Sequence, residues 1–311
     1  MPSSILLSGA SGLLGRALRR SFELRGIPCT QLVRSTPGPD SSDVFWNPYA
    51  TTVPSEMPAA LARLEGMRAA IHLSGDNIGE GRWTHAKKQR IWESRVTATQ
   101  TLATLLSQLQ SPPEVLICAS AVGYYGNRGD AVLTEDSPAG CGFLAETCLA
   151  WEQAADAARQ RGIRVVHLRL GAVLAREGGA LAKMLPIFRK GSGGRLGNGS
   201  QWMSWISLPD VVRCVEYLLA GANLAGPVNA VAPQPVTNAA FTQTLARMLH
   251  RPAGFPVPSL VLRVLLGEMA DSVLLSSTRA LPARLQQAGF TFEHATLEAA
   301  LRDALAPEVL G

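Results

Sequence analysis

The chain has 311 residues, 47% of them hydrophobic and 17% charged, which allows a sizeable core and argues against bulk disorder. The net charge of +5 is scattered, and its densest cluster, Lys87-Lys88-Gln89-Arg90, reads as a solvated helix face, too short for a nucleic-acid footprint. Five dispersed cysteines (Cys29, Cys118, Cys141, Cys148, Cys214) with no CxxC suit reduced thiols in the cytosol, and the dispersed histidines show no metal-ligand spacing.

Met1-Pro2-Ser3-Ser4 runs straight into an apolar strand with no charged or long hydrophobic leader, so no signal peptide is expected. Ile5-Leu6-Leu7 is a buried strand ended by Ser8-Gly9, Leu13 to Leu24 a helix stopped at Gly26, and Cys29 to Val33 a second strand. Strands then alternate with helices: Ala69 to Leu73, the helix Trp92 to Leu109, Val115 to Ala119, the helix Leu144 to Arg161, and Val165 to Leu170. This order predicts an α/β fold, a doubly wound parallel sheet covered on both faces. Lys190 to Gln201 is a Gly/Ser-rich loop, Leu208 to Leu219 a helix, and the tail from Thr237 a set of helices broken by Pro252, Pro256 and Pro258. The longest apolar stretch, Leu260 to Leu266, is interrupted by Arg263 and falls short of the ~20 residues of a membrane span. The expected division is a nucleotide-binding domain over 1–175, rejoined by 206–225, with 176–205 and 226–311 forming a smaller, mostly helical C-terminal lobe.

Gly9-Ala10-Ser11-Gly12-Leu13-Leu14-Gly15 lies between a strand and a helix, the context a dinucleotide requires. Gly9 permits the tight turn, Gly12 the approach of backbone N–H groups to a pyrophosphate, and Gly15 close helix–strand packing. The helix N-terminus offers unbonded N–H groups and a positive dipole end. At the end of the second strand, where NAD binders carry a carboxylate, this chain has Arg34-Ser35. An arginine there clamps a 2′-phosphate, so the expected cofactor is NADP(H). Leu73-Ser74-Gly75, Ser120 and Arg169, all at strand ends, are counted with the cofactor site. Arg169 equally reads as half of a salt bridge.

These residues resemble the extended short-chain dehydrogenases/reductases, relatives of the nucleotide-sugar epimerases. The likeness spans nearly the whole chain: the GxxGxxG loop, Ala119-Ser120-Ala121-Val122-Gly123-Tyr124-Tyr125-Gly126, and Gly197-Asn198-Gly199-Ser200-Gln201 through Ile206 to Val211. Gly81-Arg82-Trp83, Ser94-Arg95-Val96 and the tail Gly289-Phe290-Thr291-Phe292 are similar to one atypical branch, the YfcH-like epimerase family proteins. The resemblance implies a Rossmann-type fold, a nicotinamide cofactor and a Tyr-x-x-x-Lys pair that handles the proton. Here Phe143 and Thr147 stand at the Tyr and Lys positions, and Arg95 stands where the family usually has Asn. The residues left for acid–base work are Ser120 with Tyr124 or Tyr125, and Arg95 or Arg169 is left to supply positive charge. An unassisted phenol lies about 4 kcal/mol from its ionised form at pH 7, so a neutral tyrosine suits only the reductive direction, where it donates its proton.

Trp83, Trp92, Trp202 and Trp205 are read as packing residues or pocket walls, His72 as a core residue, and Glu146 and Glu152 as exposed helix carboxylates. Two functions follow: an NADP(H)-dependent oxidoreductase or epimerase-like enzyme acting on a small molecule, or an NADP(H)-sensing protein read by a partner. The helices Trp92 to Leu109 and Leu144 to Arg161 either form a homodimer bundle, as is common in the superfamily, or pack internally.

Overall fold

The computed structural model describes residues 4–38, 41–49, 62–221 and 223–306; Met1 to Ser3 of the N-terminal stretch and the last residues of the lobe, 307–311, lie outside them. The strands are β1 (Ile5–Ser8), β2 (Cys29–Val33), β3 (Val44–Phe45), β4 (Ala69–His72), β5 (Val115–Ala121), β6 (Val132–Leu133), β7 (Arg164–Leu170), β8 (Ala172–Leu174), β9 (Trp202–Met203), β10 (Trp205–Ser207), β11 (Gly226–Ala230), β12 (Val236–Thr237) and β13 (Arg279–Ala280). The helices are α1 (Leu13–Leu24), α2 (His85–Glu93), α3 (Val96–Ser107), α4 (Phe143–Gln153), α5 (Asp156–Gln160), α6 (Gly179–Arg189), α7 (Leu208–Leu219), α8 (Asn238–Met248), α9 (Ser259–Leu266), α10 (Ala283–Gln287) and α11 (Leu297–Leu305).

Seven strands form one parallel sheet in the order β11-β7-β5-β4-β1-β2-β3. The central strands are buried along their whole length because helices cover both faces. Ile5, Leu7, Ile71 and Ile117 face a layer made by Leu18 and Phe22 of α1 and Val211, Val215 and Leu218 of α7. Leu6, Ala70 and Leu116 face the opposite layer, with Leu102 and Leu106 of α3 and Ala158 of α5. Burying one such leucine or phenylalanine contributes about 1.5–3 kcal/mol. The chain runs outward from β1 to β2 and β3, then crosses back to β4 on β1's other side. The direction therefore reverses between β1 and β4, which is where such sheets bind ligands.

A second core belongs to the lobe, with Leu181 and Leu185 of α6, Phe241 and Leu245 of α8, and Leu297 and Leu301 of α11 around Trp205. The chain's end returns to the sheet domain. Phe290 sits in the α1/α7 layer, and the backbone N–H groups of Glu293 and His294 donate to the two oxygens of Asp210, at 2.8 and 3.0 Å. Asp210 is fully buried and also accepts from Ser207, which caps α7.

Three features differ from the sequence expectation. The helix expected over Trp92 to Leu109 is two helices, broken where Ser94 donates to the Ile91 carbonyl and accepts from the Asp76 N–H. The helix expected over Leu144 to Arg161 is likewise two, separated at Ala155. Gly226 to Ala230, assigned above to the lobe, is the edge strand β11 paired with β7. The apolar faces of α3 and α5 pack inside this chain, while Trp92 and Leu149 are exposed. Among the described residues no helix is long and apolar enough to cross a membrane, no His/Cys/Asp/Glu cluster could hold a metal, and the five cysteines are free thiols.

His72 and His167 lie inside the sheet, and burial lowers both to about 4. Unfolding returns them to near 6.5, so the unfolded chain takes up protons below that pH that the folded chain refuses. Stability is therefore fully present above pH ~6.5 and falls as pH drops toward 4. Urea midpoints should decline from pH 7 to pH 5, before most carboxylates titrate; a constant or rising midpoint would mean that the two histidines titrate normally.

Candidate cofactor and active site

The glycine turn is shaped by close approaches. Gly9 has φ +72°, and a Cβ on it would lie 2.8 Å from the Leu73 carbonyl carbon. A Cβ on Gly15 would lie 2.2 Å from the Gly9 oxygen, so the first turn of α1 packs directly on the loop. Gly12 precedes the helix, and no side chain caps it. Ala10 and Gly15 are buried, Leu13 and Leu14 half-buried, and Ser11 and Gly12 exposed. An uncapped helix start behind a turn with glycine at 9, 12 and 15 fits a pyrophosphate.

Arg34 and Ser35 follow β2 and are both exposed. Arg16, which the sequence reading passed over, folds back to donate to the Ser11 carbonyl at 2.6 Å and adds charge beside the loop. Its position directly after Gly15 was the available signal. On β1's other side, Ser74 donates to Ser8 at 3.2 Å, and Ser8 bonds His72 Nδ1 at 2.6 Å, tying Leu73-Ser74-Gly75 to the strand that carries the glycine turn. A Cβ on Gly178, at the start of α6, would lie 3.2 Å from Leu13 Cδ1, and Lys183 of α6 donates to the Gly79 carbonyl at 2.8 Å.

Below the expected acid–base residues lies a buried polar chain. Ser120, 2% exposed, donates to Glu152 Oε1 at 2.8 Å. Arg169 pairs with both Glu152 oxygens at 2.8 and 2.9 Å, and its third nitrogen donates to the Tyr125 hydroxyl at 3.0 Å and to the Glu135 carbonyl. Burial opposes the Arg169 charge, but the Glu152 carboxylate outweighs it and holds the guanidinium above its ordinary pKa. The Tyr125 hydroxyl donates to Asn229 Oδ1 at 2.7 Å, and Asn229 N–H donates to Glu135 at 3.0 Å. Burial pushes Tyr125 above its ordinary value, against the lowering pull of Arg169, and its side chain is fully enclosed. Tyr124 is half-buried, and its ring lies over the Arg169 guanidinium at 3.5 Å. Its hydroxyl bonds nothing among the described residues.

The structure thus brings Ser120, Tyr124, Tyr125 and Arg169 together but engages three of them in the fold. Glu152, read above as exposed, is buried as the partner of Ser120 and Arg169. The signal was Arg169 itself, since a charge inside an apolar strand demands a counter-ion. Glu146 is exposed. Phe143 packs edge-on against Trp83 at 5.4 Å, and Thr147 donates to the Phe143 carbonyl, so neither position presents an ionisable group. Trp205 is buried, whereas Trp202 is half-buried beneath Arg279.

Arg169→Met leaves Glu152 buried without a counter-ion, and a loss of about 3–5 kcal/mol is expected in urea unfolding. The double change Arg169→Met with Glu152→Met should lose markedly less. Equal losses in the two variants would show that the cost does not come from an orphaned Glu152 carboxylate.

The family profile described as NAD dependent epimerase/dehydratase matches residues 5–231, and a domain of unknown function (DUF1731) matches 257–304. The chain is 43% identical to the epimerase family protein Mb2239 of Mycobacterium bovis over 96% of each chain, and 35% identical to YfhF of Bacillus subtilis over 97% and 98%. Its fold superposes on the human epimerase family protein SDR39U1 (isoform 2), crystallised with NADPH, with a TM-score of 0.85 at 31% identity, over 97% and 98% of the two chains. With a Rossmann-type sheet, a glycine cradle at its switch point and this likeness over almost all of its length, the chain belongs to the NAD dependent epimerase/dehydratase family.

Proposed function

We propose that this protein is an NADP(H)-dependent oxidoreductase acting on a small carbonyl compound in the cytosol, with Tyr124 as the proton donor. The observation that carries the reading is the glycine turn before the uncapped start of α1, with exposed Arg34 after β2 in place of a carboxylate. Gly9 to Gly15 hold the pyrophosphate through backbone N–H groups, Arg34 and Ser35 take the 2′-phosphate, and Leu73-Ser74-Gly75 line the path to the sheet's other half. A nicotinamide bound there supplies the hydride. The NADPH in the structure of human SDR39U1 supports the choice of cofactor.

Tyr124 is suited to its role because its ring is held face-on by Arg169 while its hydroxyl has no partner among the described residues. A neutral phenol fits the reductive direction, donating its proton to the oxygen that gains charge. Ser120 and Tyr125 act as positioning residues through Glu152 and Arg169. A second reading is an NADP(H) sensor without turnover. It is favoured by the engagement of Ser120 and Tyr125 inside the fold and by Phe143 and Thr147 where a Tyr/Lys pair would stand.

Denaturing the purified protein and identifying what it releases by mass spectrometry tests the cofactor: NADP(H) is expected, and NAD(H) would make Arg34 a bystander. Arg34→Ala should weaken NADPH binding about ten-fold and leave NADH binding unchanged. For turnover, a panel of carbonyl compounds is screened by NADPH oxidation. Tyr124→Phe should slow the active one about 100-fold or more without weakening NADPH binding. Tight NADPH binding with no turnover across the panel, and affinity for a partner that changes with NADPH, would favour the sensor.

A further inference from the structure

Helix α9 of the lobe has two apolar faces. Leu262 is buried, and Leu266 packs on the cluster of Trp83, Ile91 and Met269, so this face holds the helix to the protein. Leu260, Val261, Val264 and Leu265 stand on the other face, at the spacing that makes one continuous surface on a helix. Leu260 is 69% exposed, Val264 64% and Leu265 63%, and Phe255, in the segment that leads into the helix, is 72% exposed. Side chains this exposed stand clear of the surface rather than line a groove. A contiguous apolar patch of this kind marks a contact.

The charges beside the patch give the chemistry of that contact. The segment before α9 runs along the loop that follows α6. Val257 N–H donates to the Arg195 carbonyl at 2.8 Å, Gly197 N–H donates to the Val257 carbonyl at 2.8 Å, and a Cβ on Gly191 would lie 3.6 Å from Pro252 Cγ. The pairing gathers Arg189, Lys190, Arg195 and Arg251 around the start of the patch. All four are exposed, and among the described residues none pairs with a carboxylate. The stretches 178–209 and 217–267 that build this face contain no Asp or Glu. A second copy of the chain offers these cations no anion from the far end of α9, because Glu268 and Asp271 there are already matched by Lys88 and Arg263. An anionic bilayer answers both features: its boundary takes protruding Leu, Val and Phe side chains, and its surface charge attracts the cations beside them. We infer that α9 and Phe255 dock the protein peripherally on an anionic lipid surface, with Arg189, Lys190, Arg195 and Arg251 against the headgroup phosphates. Docking of this kind needs no cofactor and stands apart from the reading above.

The purified full-length protein is floated with vesicles of phosphatidylcholine alone and of equal parts phosphatidylcholine and phosphatidylglycerol. The wild type should float with the mixed vesicles and bind pure phosphatidylcholine about ten-fold more weakly or less. Leu260→Gln with Leu265→Gln, and separately Lys190→Gln with Arg195→Gln and Arg251→Gln, should each weaken binding to the mixed vesicles about ten-fold or more. All five side chains are exposed, so melting temperature should stay as in the wild type. Leu265→Ser alone is read in the same way if the paired variant does not fold. No binding to the mixed vesicles, equal binding to the two compositions, or binding that neither variant weakens overturns the inference. A wild-type dimer in light scattering that Leu260→Gln with Leu265→Gln returns to a monomer overturns it in favour of a second copy on this face.

Discussion

A guanidinium and a carboxylate closed off from water between α4 and β7 organise the C-terminal end of the central strands. Arg169 and Glu152 would each be untenable alone in an apolar strand and a buried helix face, so each fixes the other. From that pair the bonds reach outward to Ser120 on β5, to Tyr125 in the turn that follows it, and through Tyr125 to Asn229 on β11. Elements far apart in the chain are thereby locked in one register. The Tyr124 ring rests on the same guanidinium, so its position follows from an interaction it does not share in as a hydrogen-bonding partner.

The sheet's two halves present charge differently. On the β2 side it is exposed, at Arg34 and Arg16, where water screens it and a phosphate can displace that water. On the β4 side it is drawn into the fold, at half-buried Arg95 and at buried Lys87, which pairs with Asp76. Between them the glycine turn contributes no side-chain charge, only backbone N–H groups and the dipole of α1.

The sheet and the glycine turn were legible because they depend on local pattern: short apolar runs ended by Ser-Gly, and glycines at positions where a Cβ has no room. The break at Ser94-Arg95 was not, because apolar residues continue at helical spacing across it while a bond from Asp76, 18 residues earlier, opens the turn. Gly226-Pro227-Val228-Asn229-Ala230 carries too little apolar signal to read as a strand, since part of what holds it is the buried Asn229 bonding. Glu152 read as a surface residue because its partner lies on another element. Of the two arginines considered as sources of charge, only three-dimensional contacts separate the matched one from the unmatched.

The tail that returns to Asp210 has a consequence for how this chain can vary over evolutionary time. Two backbone N–H groups past Phe292 satisfy a carboxylate that has no access to water, and Phe290 fills the layer beneath α7. The segment matched by the domain of unknown function is therefore no detachable module. A swap of that segment between relatives would leave Asp210 Oδ1 unbonded and Oδ2 with Ser207 alone unless the incoming tail presented the same two amides, so helix and tail must be inherited as a matched pair.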